Sequence, residues 1–350
     1  MNIVHIEDEP WDSGIAHYAL TLAGEQARRG HRVAVWGDTF SPVLKQASES
    51  GLPTRGWESG PIGWLEIPAL RRELAAFAPH IVNAHTGSSH ALALLLAPKG
   101  AAIVRTRGDA RPPRSNPLTR LTASRTRTLI AANAVLKTQL EAAFPGTPVR
   151  LIPQGIEGPP AVSAMPGPPS VGIIARMDPV KGHGVLLDAA QILKPQIPGL
   201  KILCAGEGPE LKRLSWRLQP QGIDGIISFL GRVADRWTFL AGCRIGIVAS
   251  LGSEAVSRAA LEWMAAARPL IATNVGGIPD LVEDGVTGLL IPPGDANALA
   301  AAVKSLLADP ARAEAMGRAG RARWENNFSL APFYQRTQAV YDEAINALSR

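Results

Sequence analysis

Two carboxylates, Glu254 and Glu262, stand eight positions apart in SEAVSRAALEWMAAARPLIATNVGGIPD. The apolar spacing between them reads as a helix that Glu254 opens and Glu262 continues. A packed helix carries a carboxylate at a cost, so each acid needs a partner or a task. At ~1.5 Å of rise per residue the pair lies about 12 Å apart along the axis, too far to share one small group. The spacing suits the two ends of a long polar ligand, and backbone N–H groups at the helix start can hold an anion. Upstream, Arg176 ends VGIIAR and Lys181 follows in DPVKG. A guanidinium and an ammonium at a strand end can grip two phosphates; the plainer alternative is a solvated basic turn.

Positioning these groups takes a layered fold. In the first half IVHI, RVAVW, IVNAH, AIVRT, TLIAA and VRLIP are short β-rich runs, with a helical pattern over 15–29 after the first. The second half repeats the theme with VGIIAR, KILCAG, IISFLG, IGIVAS, LIATN and GLLIP. Helical stretches are expected over 184–193, 210–218, 236–241, 256–266 and 296–307, and a last one over 331–348. Alternating strands and helices imply right-handed βαβ units and parallel sheets, which bind ligands at the carboxyl ends of their strands. The Pro- and Gly-dense segment 155–169 (GIEGPPAVSAMPGPP) reads as an interdomain linker.

Composition narrows the function classes. The 350 residues give room for two ordinary domains, and 46% hydrophobic residues suffice for real cores. Cys204 and Cys243 lie in or beside apolar runs and read as buried free thiols. The N-terminus MNIVHIEDEP reads as a strand followed by acids rather than a signal peptide, and no apolar run reaches ~18 residues. A cytoplasmic protein is therefore expected. The histidines are scattered and neither cysteine has a CxxC partner, so no metal site is expected. The absence of GxGxxG, GxSxG and Walker patterns removes the main support for nicotinamide, serine-hydrolase and P-loop chemistry.

With these residues in view, the chain resembles the retaining family 4 glycosyltransferases of the GT-B fold. The resemblance rests on Glu-x7-Glu, the run ARPLIATNVGGIPDLVEDGVTGLLIPPGD, and ARMDPVKG upstream. It covers nearly the whole chain and is strongest over 171–295. It implies an α/β fold of two Rossmann-like domains with parallel sheets facing across a cleft. Residues 1–165 would form the acceptor side, 166–330 the nucleotide-sugar side, and a helix over 331–350 would cross back to the first domain. It implies further that Arg176 and Lys181 hold the diphosphate of a nucleoside-diphosphate sugar in place of a metal. Glu254 would lie near the donor sugar's hydroxyls and Glu262 would accept from the ribose. The nucleotide sugar is then a substrate, and no cofactor is expected.

Other positions follow by the same resemblance. Ser13 and Gly14 match a Gly-Gly loop near the diphosphate, although a lone Gly after a strand is usually a turn. His85 matches a histidine beside the donor sugar, where a structural role is the alternative. Gly206, Glu207, Gly231 and Val233 match the lining of the nucleotide pocket or are simple turn formers. The family's usual Glu-Gly-Phe-Gly is here Glu254, Ala255, Val256 and Ser257, followed by Arg258. Without glycines the backbone turns less freely, yet Ala255, Val256 and Ser257 still present N–H groups to a phosphate if φ stays negative.

Charge is concentrated. Between Lys99 and Arg127 basic residues face the single acid Asp109, and that surplus alone exceeds the chain's net +6. Arg105, Arg107 and Arg111 in RTRGDARPPRSN either meet an anionic acceptor or belong to a flexible basic loop. Trp57 and Trp64 either dip into a membrane interface or pack under a loop. The expected partners are a nucleotide-sugar donor and an anionic or lipid-linked glycan acceptor, as in lipopolysaccharide or surface polysaccharide synthesis. Peripheral association with the inner membrane fits; nucleic acid does not, because the basic run lacks interleaved aromatics. Two rivals are a nucleotide-sugar epimerase of the same fold, which needs no acceptor, and a non-catalytic sugar-nucleotide-binding paralogue.

Overall fold

The computed structural model of this protein holds two parallel sheets, each flanked by helices. The structure describes residues 1–348 apart from Asp12, Ser59, Gly60, Ala110 and Ser253. For residues 61–64 and Leu118 it describes the backbone alone, so the Trp64 side chain lies outside the described residues. The chain divides into one unit of Met1–Gly155 with Leu330–Arg350 and a second of Ile156–Ser329.

In the first unit the strands are β1 (Asn2–Ile6), β2 (Arg32–Asp38), β3 (Thr54–Trp57), β4 (Ile81–Ala84), β5 (Ala102–Arg107), β6 (Thr128–Ala131) and β7 (Val149–Leu151). They lie in the order β3-β2-β1-β4-β5-β6-β7, so the winding reverses between β1 and β4. The helices are α1 (Gly14–Arg28), α2 (Pro42–Glu49), α3 (Pro61–Phe77), α4 (Gly87–Leu96), α5 (Pro117–Ser124) and α6 (Ala134–Ala143). Side chains alternate along β1. Val4 and Ile6 join Trp36, Leu70, Leu74 and Leu96 on one face, while His5 meets Gln26 of α1 on the other. β3 is read poorly from TRGW, whose burial is set by its neighbour β2 rather than by its own alternation. Trp57 ends that strand and is 7% exposed in the core, which corrects both the membrane and the loop readings for it.

The final helix, Leu330–Asn346, belongs to this unit. Phe333 meets the Tyr18 ring edge-on at 4.9 Å, and the Tyr341 hydroxyl accepts from Asn83 Nδ2 at 2.8 Å.

The second unit carries β8 (Ser170–Ile174), β9 (Lys201–Ala205), β10 (Ile227–Gly231), β11 (Ile245–Val248), β12 (Leu270–Thr273) and β13 (Gly288–Ile291), ordered β10-β9-β8-β11-β12-β13. Around them pack α7 (His183–Leu193), α8 (Leu211–Arg217), α9 (Arg236–Ala241), α10 (Arg258–Ala265), α11 (Ile278–Leu281), α12 (Ala296–Ala308) and α13 (Pro310–Asn327). Trp263 and Met264 of α10 are fully buried against Leu240 and Ala272. Cys204 and Cys243 are buried free thiols, and burial pushes both up to about 12.

Two expectations are corrected here. The helix expected from Glu254 begins at Arg258, so the rise-based spacing of the two acids does not apply. Contacts described below hold Glu254 in the loop instead. The unit boundary falls at Gly155, not 165, because the Pro- and Gly-dense segment is bound to the second unit. Ile156 bridges Ser329 and donates its N–H to Phe328 O at 2.9 Å. The guanidinium of Arg268, a residue 2% exposed, donates to Ser163 O at 3.1 Å and to Ala164 O and Ala241 O at 3.0 Å. Arg268→Gln leaves these carbonyls short of donors and should cost the unit about 3 kcal/mol. Limited proteolysis is then expected to cut within 156–169 at least several-fold faster; an unchanged cleavage rate contradicts this account.

Candidate functional site

In the second unit the winding of the sheet reverses between β8 and β11, and the expected phosphate-binding residues leave the carboxyl ends of these two strands. Arg176 follows β8. Its side chain is 66% exposed and paired with Asp178, an exposed contact that costs little to exchange for a ligand. Lys181 ends a 3₁₀ turn over Pro179–Lys181 and pairs with Glu254 Oε1. Ser250 Oγ donates to the same oxygen at 2.5 Å. The Glu254 side chain is 4% exposed and that of Lys181 28%, so the ammonium keeps one side toward solvent.

Backbone contacts hold this arrangement. Leu251 N–H donates to Val180 O at 2.7 Å, tying the loop after β11 to the lysine turn. Gly277 N–H donates to Glu254 O at 2.7 Å. Gly276 adopts a left-handed φ of 56°, and a Cβ there would lie 2.4 Å from Glu254 O, so only glycine fits against the loop.

Glu262 lies on α10 and is 6% exposed. Its Oε1 accepts from Arg258 Nε at 3.0 Å, and Arg236 Nε is 3.5 Å away. Arg258 therefore serves the carboxylate, and Arg236 on α9 is a partner the sequence reading missed. Its signal was there in weak form: an arginine opens α9, the helix just before β11. Ala255 and Ser257 are buried and Val256 is half-buried. Ser257 is the N-cap of α10 but makes no side-chain cap; its buried Oγ has no partner among the described residues. Gly206 and Gly231 close β9 and β10, and Gly206 N–H donates to Gly231 O at 2.7 Å. Glu207 is exposed beside them, and Val233 packs on the cluster containing Trp263.

The first unit places its candidates at its own reversal point, between β1 and β4. Ser13 is the N-cap of α1; its Oγ accepts from Ala16 N–H at 3.3 Å, and Gly14 is the first helical residue. His85 is 1% exposed and stacks on His5 at 5.3 Å. Gln26 Oε1 accepts from His5 Nε2–H at 2.8 Å, which makes His5 Nδ1 the acceptor for His85 Nε2–H at 3.0 Å. His85 Nδ1 is left as a buried lone pair without a partner among the described residues. Burial lowers His5 to about 4 and His85 well below its usual range, so both rings are neutral.

Glu7, which the sequence analysis named only among the acids after the first strand, is fully buried. Glu9 N–H donates to its Oε1 at 2.9 Å, and Oε2 has no partner among the described residues. Burial raises this carboxyl to about 8, with Asp8 and Glu9 adding. Between pH 4.5 and about 8 the folded chain keeps a proton that the unfolded carboxyl has lost, so Glu7 reduces stability as pH rises. His5 acts in the other direction, because acid below 6.5 protonates the unfolded imidazole first. Glu7→Gln should therefore raise the stability more at pH 8 than at pH 5, by an amount on the order of 1–3 kcal/mol. A calorimetric difference that is flat in pH refutes the buried, protonated state.

The basic loop is largely committed to itself. Arg107 pairs with Asp109 at 2.5 Å and donates to Arg111 O at 2.9 Å. Arg105 Nη1 is 3.2 Å from His90 Nδ1, and burial, with Arg107 adding, pulls it down to about 10. Of the three arginines expected at an acceptor, only Arg111 is exposed. Asp109 thus pairs with the side chain of Arg107 alone among these arginines, and Arg105 is half-buried against His90.

Arg176, Lys181 and Glu254 thus gather in the second unit with Ser250, whereas His85, Ser13 and Gly14 lie in the first. Among the described residues no three His, Cys, Asp or Glu side chains gather to hold a metal ion, and no helix is long and apolar enough to cross a membrane.

Comparison with known proteins gives two family matches: Glycosyltransferase Family 4 over residues 13–157, and Glycosyl transferases group 1 over residues 168–309. A glycogen synthase of Mycobacterium tuberculosis is 33% identical over 177 residues, covering 50% of this chain and 42% of the relative. A GDP-mannose-dependent alpha-(1-6)-phosphatidylinositol monomannoside mannosyltransferase of Mycolicibacterium smegmatis is 33% identical over 162 residues, covering 44% and 42%. The matched segments span less than half the length of these relatives. The solved structure of Anabaena HepE in complex with UDP superposes with a TM-score of 0.82 at 19% identity, covering 98% of this chain and 100% of that one.

Proposed function

The chain belongs to the family 4 glycosyltransferases with the GT-B fold, and from that premise we propose that it moves a sugar from a nucleoside-diphosphate donor to a hydroxyl of a lipid-linked glycan, with retention at the anomeric carbon. The observation that carries this reading is the Lys181–Glu254–Ser250 cluster at the reversal point of the second sheet. As the bond from the anomeric carbon to the β-phosphate oxygen breaks, negative charge grows on the diphosphate. Lys181 and Arg176 stand where such charge needs counter-charge, and they take the role a metal has elsewhere. The acceptor hydroxyl attacks on the face the leaving group departs from, and its proton passes to the departing phosphate oxygen. Glu254, held by Ser250 and the lysine, orients the ammonium and accepts from donor-sugar hydroxyls. Glu262 and its two arginines bind the ribose end.

The UDP of the Anabaena structure and the GDP-mannose of the mycobacterial relative support a nucleotide-sugar donor without choosing the base. The phosphatidylinositol monomannoside acceptor of that relative supports a lipid-linked glycan here. The same reading puts the product in a cell-surface glycan such as a lipopolysaccharide core or polysaccharide precursor, made in the cytoplasm by a protein peripheral to the membrane.

A thermal-shift screen against UDP, GDP, ADP, CMP and dTDP, with and without EDTA, tests the donor site. One diphosphate is expected to raise Tm, independently of EDTA, and to do so at least tenfold less tightly in Glu262→Ala. No shift with any nucleotide sinks the proposal, and a shift abolished by EDTA sinks metal independence.

A further inference from the structure

The first unit contains a pocket of about 830 Å³ that the donor chemistry does not use. It opens at the carboxyl ends of β1, β2 and β3, beside the start of α4. Its body is apolar, with Trp57, Ile67 and Leu70 inside and Phe40, Leu92 and Leu95 toward the mouth. Phe40 is 81% exposed and Leu95 45%, a large apolar surface to leave in water without an occupant. Three carboxylates, Asp8, Asp38 and Glu58, also line it, and among the described residues no lysine or arginine does. Asp8 accepts from Thr86 Oγ1, and Asp38 Oδ1 accepts from Phe40 N–H at 2.8 Å, so both acids are held in place at the wall.

We propose that this pocket is an acceptor subsite for an amphipathic, non-anionic molecule, with an alkyl or aryl body on the apolar wall and sugar hydroxyls on the carboxylates. The inference rests on the transferase reading above and narrows its acceptor: the part of a lipid-linked glycan held in this pocket is uncharged, and any phosphate it carries lies outside the pocket. Carboxylate oxygens are acceptors only, so they favour hydroxyl or ammonium donors. An anionic head group would be desolvated against three like charges, which excludes it from this wall. The apolar wall supplies affinity and the carboxylates choose among head groups, the division of labour expected of a small-molecule site. The committed state of Arg105 and Arg107 agrees, since neither offers a countercharge to an acidic acceptor.

The test uses the full-length protein and calorimetric titration with octyl β-D-glucoside below its micelle concentration, octyl β-D-glucuronide, and free glucose. The glucoside is expected to bind at least tenfold more tightly than either of the others. Ala91, exposed on the pocket wall, becomes Trp in one variant to fill the space; glucoside binding should be lost while the nucleotide thermal shift stays. In Asp38→Asn/Glu58→Gln the gap between glucoside and glucuronide should close. Equal binding of the glucuronide to the unaltered protein, glucoside binding that survives Ala91→Trp, or no binding of either amphiphile overturns the inference. Nucleotide binding without glucoside binding removes the pocket proposal alone. Glucoside binding without any nucleotide binding removes the transferase reading, and with it the acceptor role of the pocket, leaving only a site for neutral amphiphiles.

Discussion

Lys181→Ala is expected to lower kcat/KM for sugar transfer by about 10²–10³-fold, the loss typical of removing one preorganised donor from a developing oxyanion. The effect should fall on kcat more than KM, because the charge on the diphosphate grows as the glycosidic bond breaks. The lysine also neutralises Glu254, whose side chain is 4% exposed, and a purely structural loss must be separated from a catalytic one. Unpairing a buried ion pair costs about 3–5 kcal/mol, but Lys181 is 28% exposed and water reaches its side of the pair, so about 1–2 kcal/mol is expected here. Lys181→Ala/Glu254→Gln removes the stranded charge. It should recover most of the Tm and none of the rate. A double variant that regains transfer, or a single variant within about fivefold of the parent, refutes the catalytic role.

Gly182→Ala is the substitution with the largest expected effect on stability. Gly182 follows Lys181 with a left-handed φ of 71°, and a Cβ there would lie 1.9 Å from Ala249 O. Backbone strain and the clash with a main-chain oxygen combine, and neither can be relieved by a rotamer change. A loss of about 2–4 kcal/mol follows, a fall in Tm of roughly 5–12 °C for a unit of this size. The collision pushes apart the turn that carries Lys181 and the segment after β11 that carries Ser250 and Glu254. Nucleotide affinity should therefore fall with stability. A variant of parental Tm shows that the approach of these two segments relaxes freely.

The twelve apolar β-rich runs of the sequence all became strands, because each is short and bounded by turn residues; the central ones are buried on both faces of a parallel sheet, while the edge strands β7 and β10 keep exposed residues. Missed elements share a cause. TRGW has no alternation to read, and α13 is an arginine-rich helix whose buried residues Ala313, Met316, Gly317, Gly320 and Trp324 include two glycines that pattern reading discounts. The chemical residues at strand ends were legible in the same way. Arg176, Lys181 and Glu254 are charged residues shortly after apolar strand runs, and Glu262 lies within an apolar helical run; charge beside buried apolar segments calls for a partner.

Residue types and their order along the chain thus determined by themselves two parallel α/β sheets and a polar cluster after β8 and β11, since local apolar period and right-handed crossover leave few other layouts. The tertiary structure decided which polar groups are occupied. Glu254 stands in a loop rather than on a helix because Ser250, Lys181 and Gly277 hold it there. Arg107 is spent on Asp109, Glu7 is buried and protonated, and the unit 1 pocket is acidic although the chain is basic. None of this is readable from spacing. Burial and pairing join residues far apart in sequence, and the energy of a charge depends on the neighbours and solvent that folding leaves it.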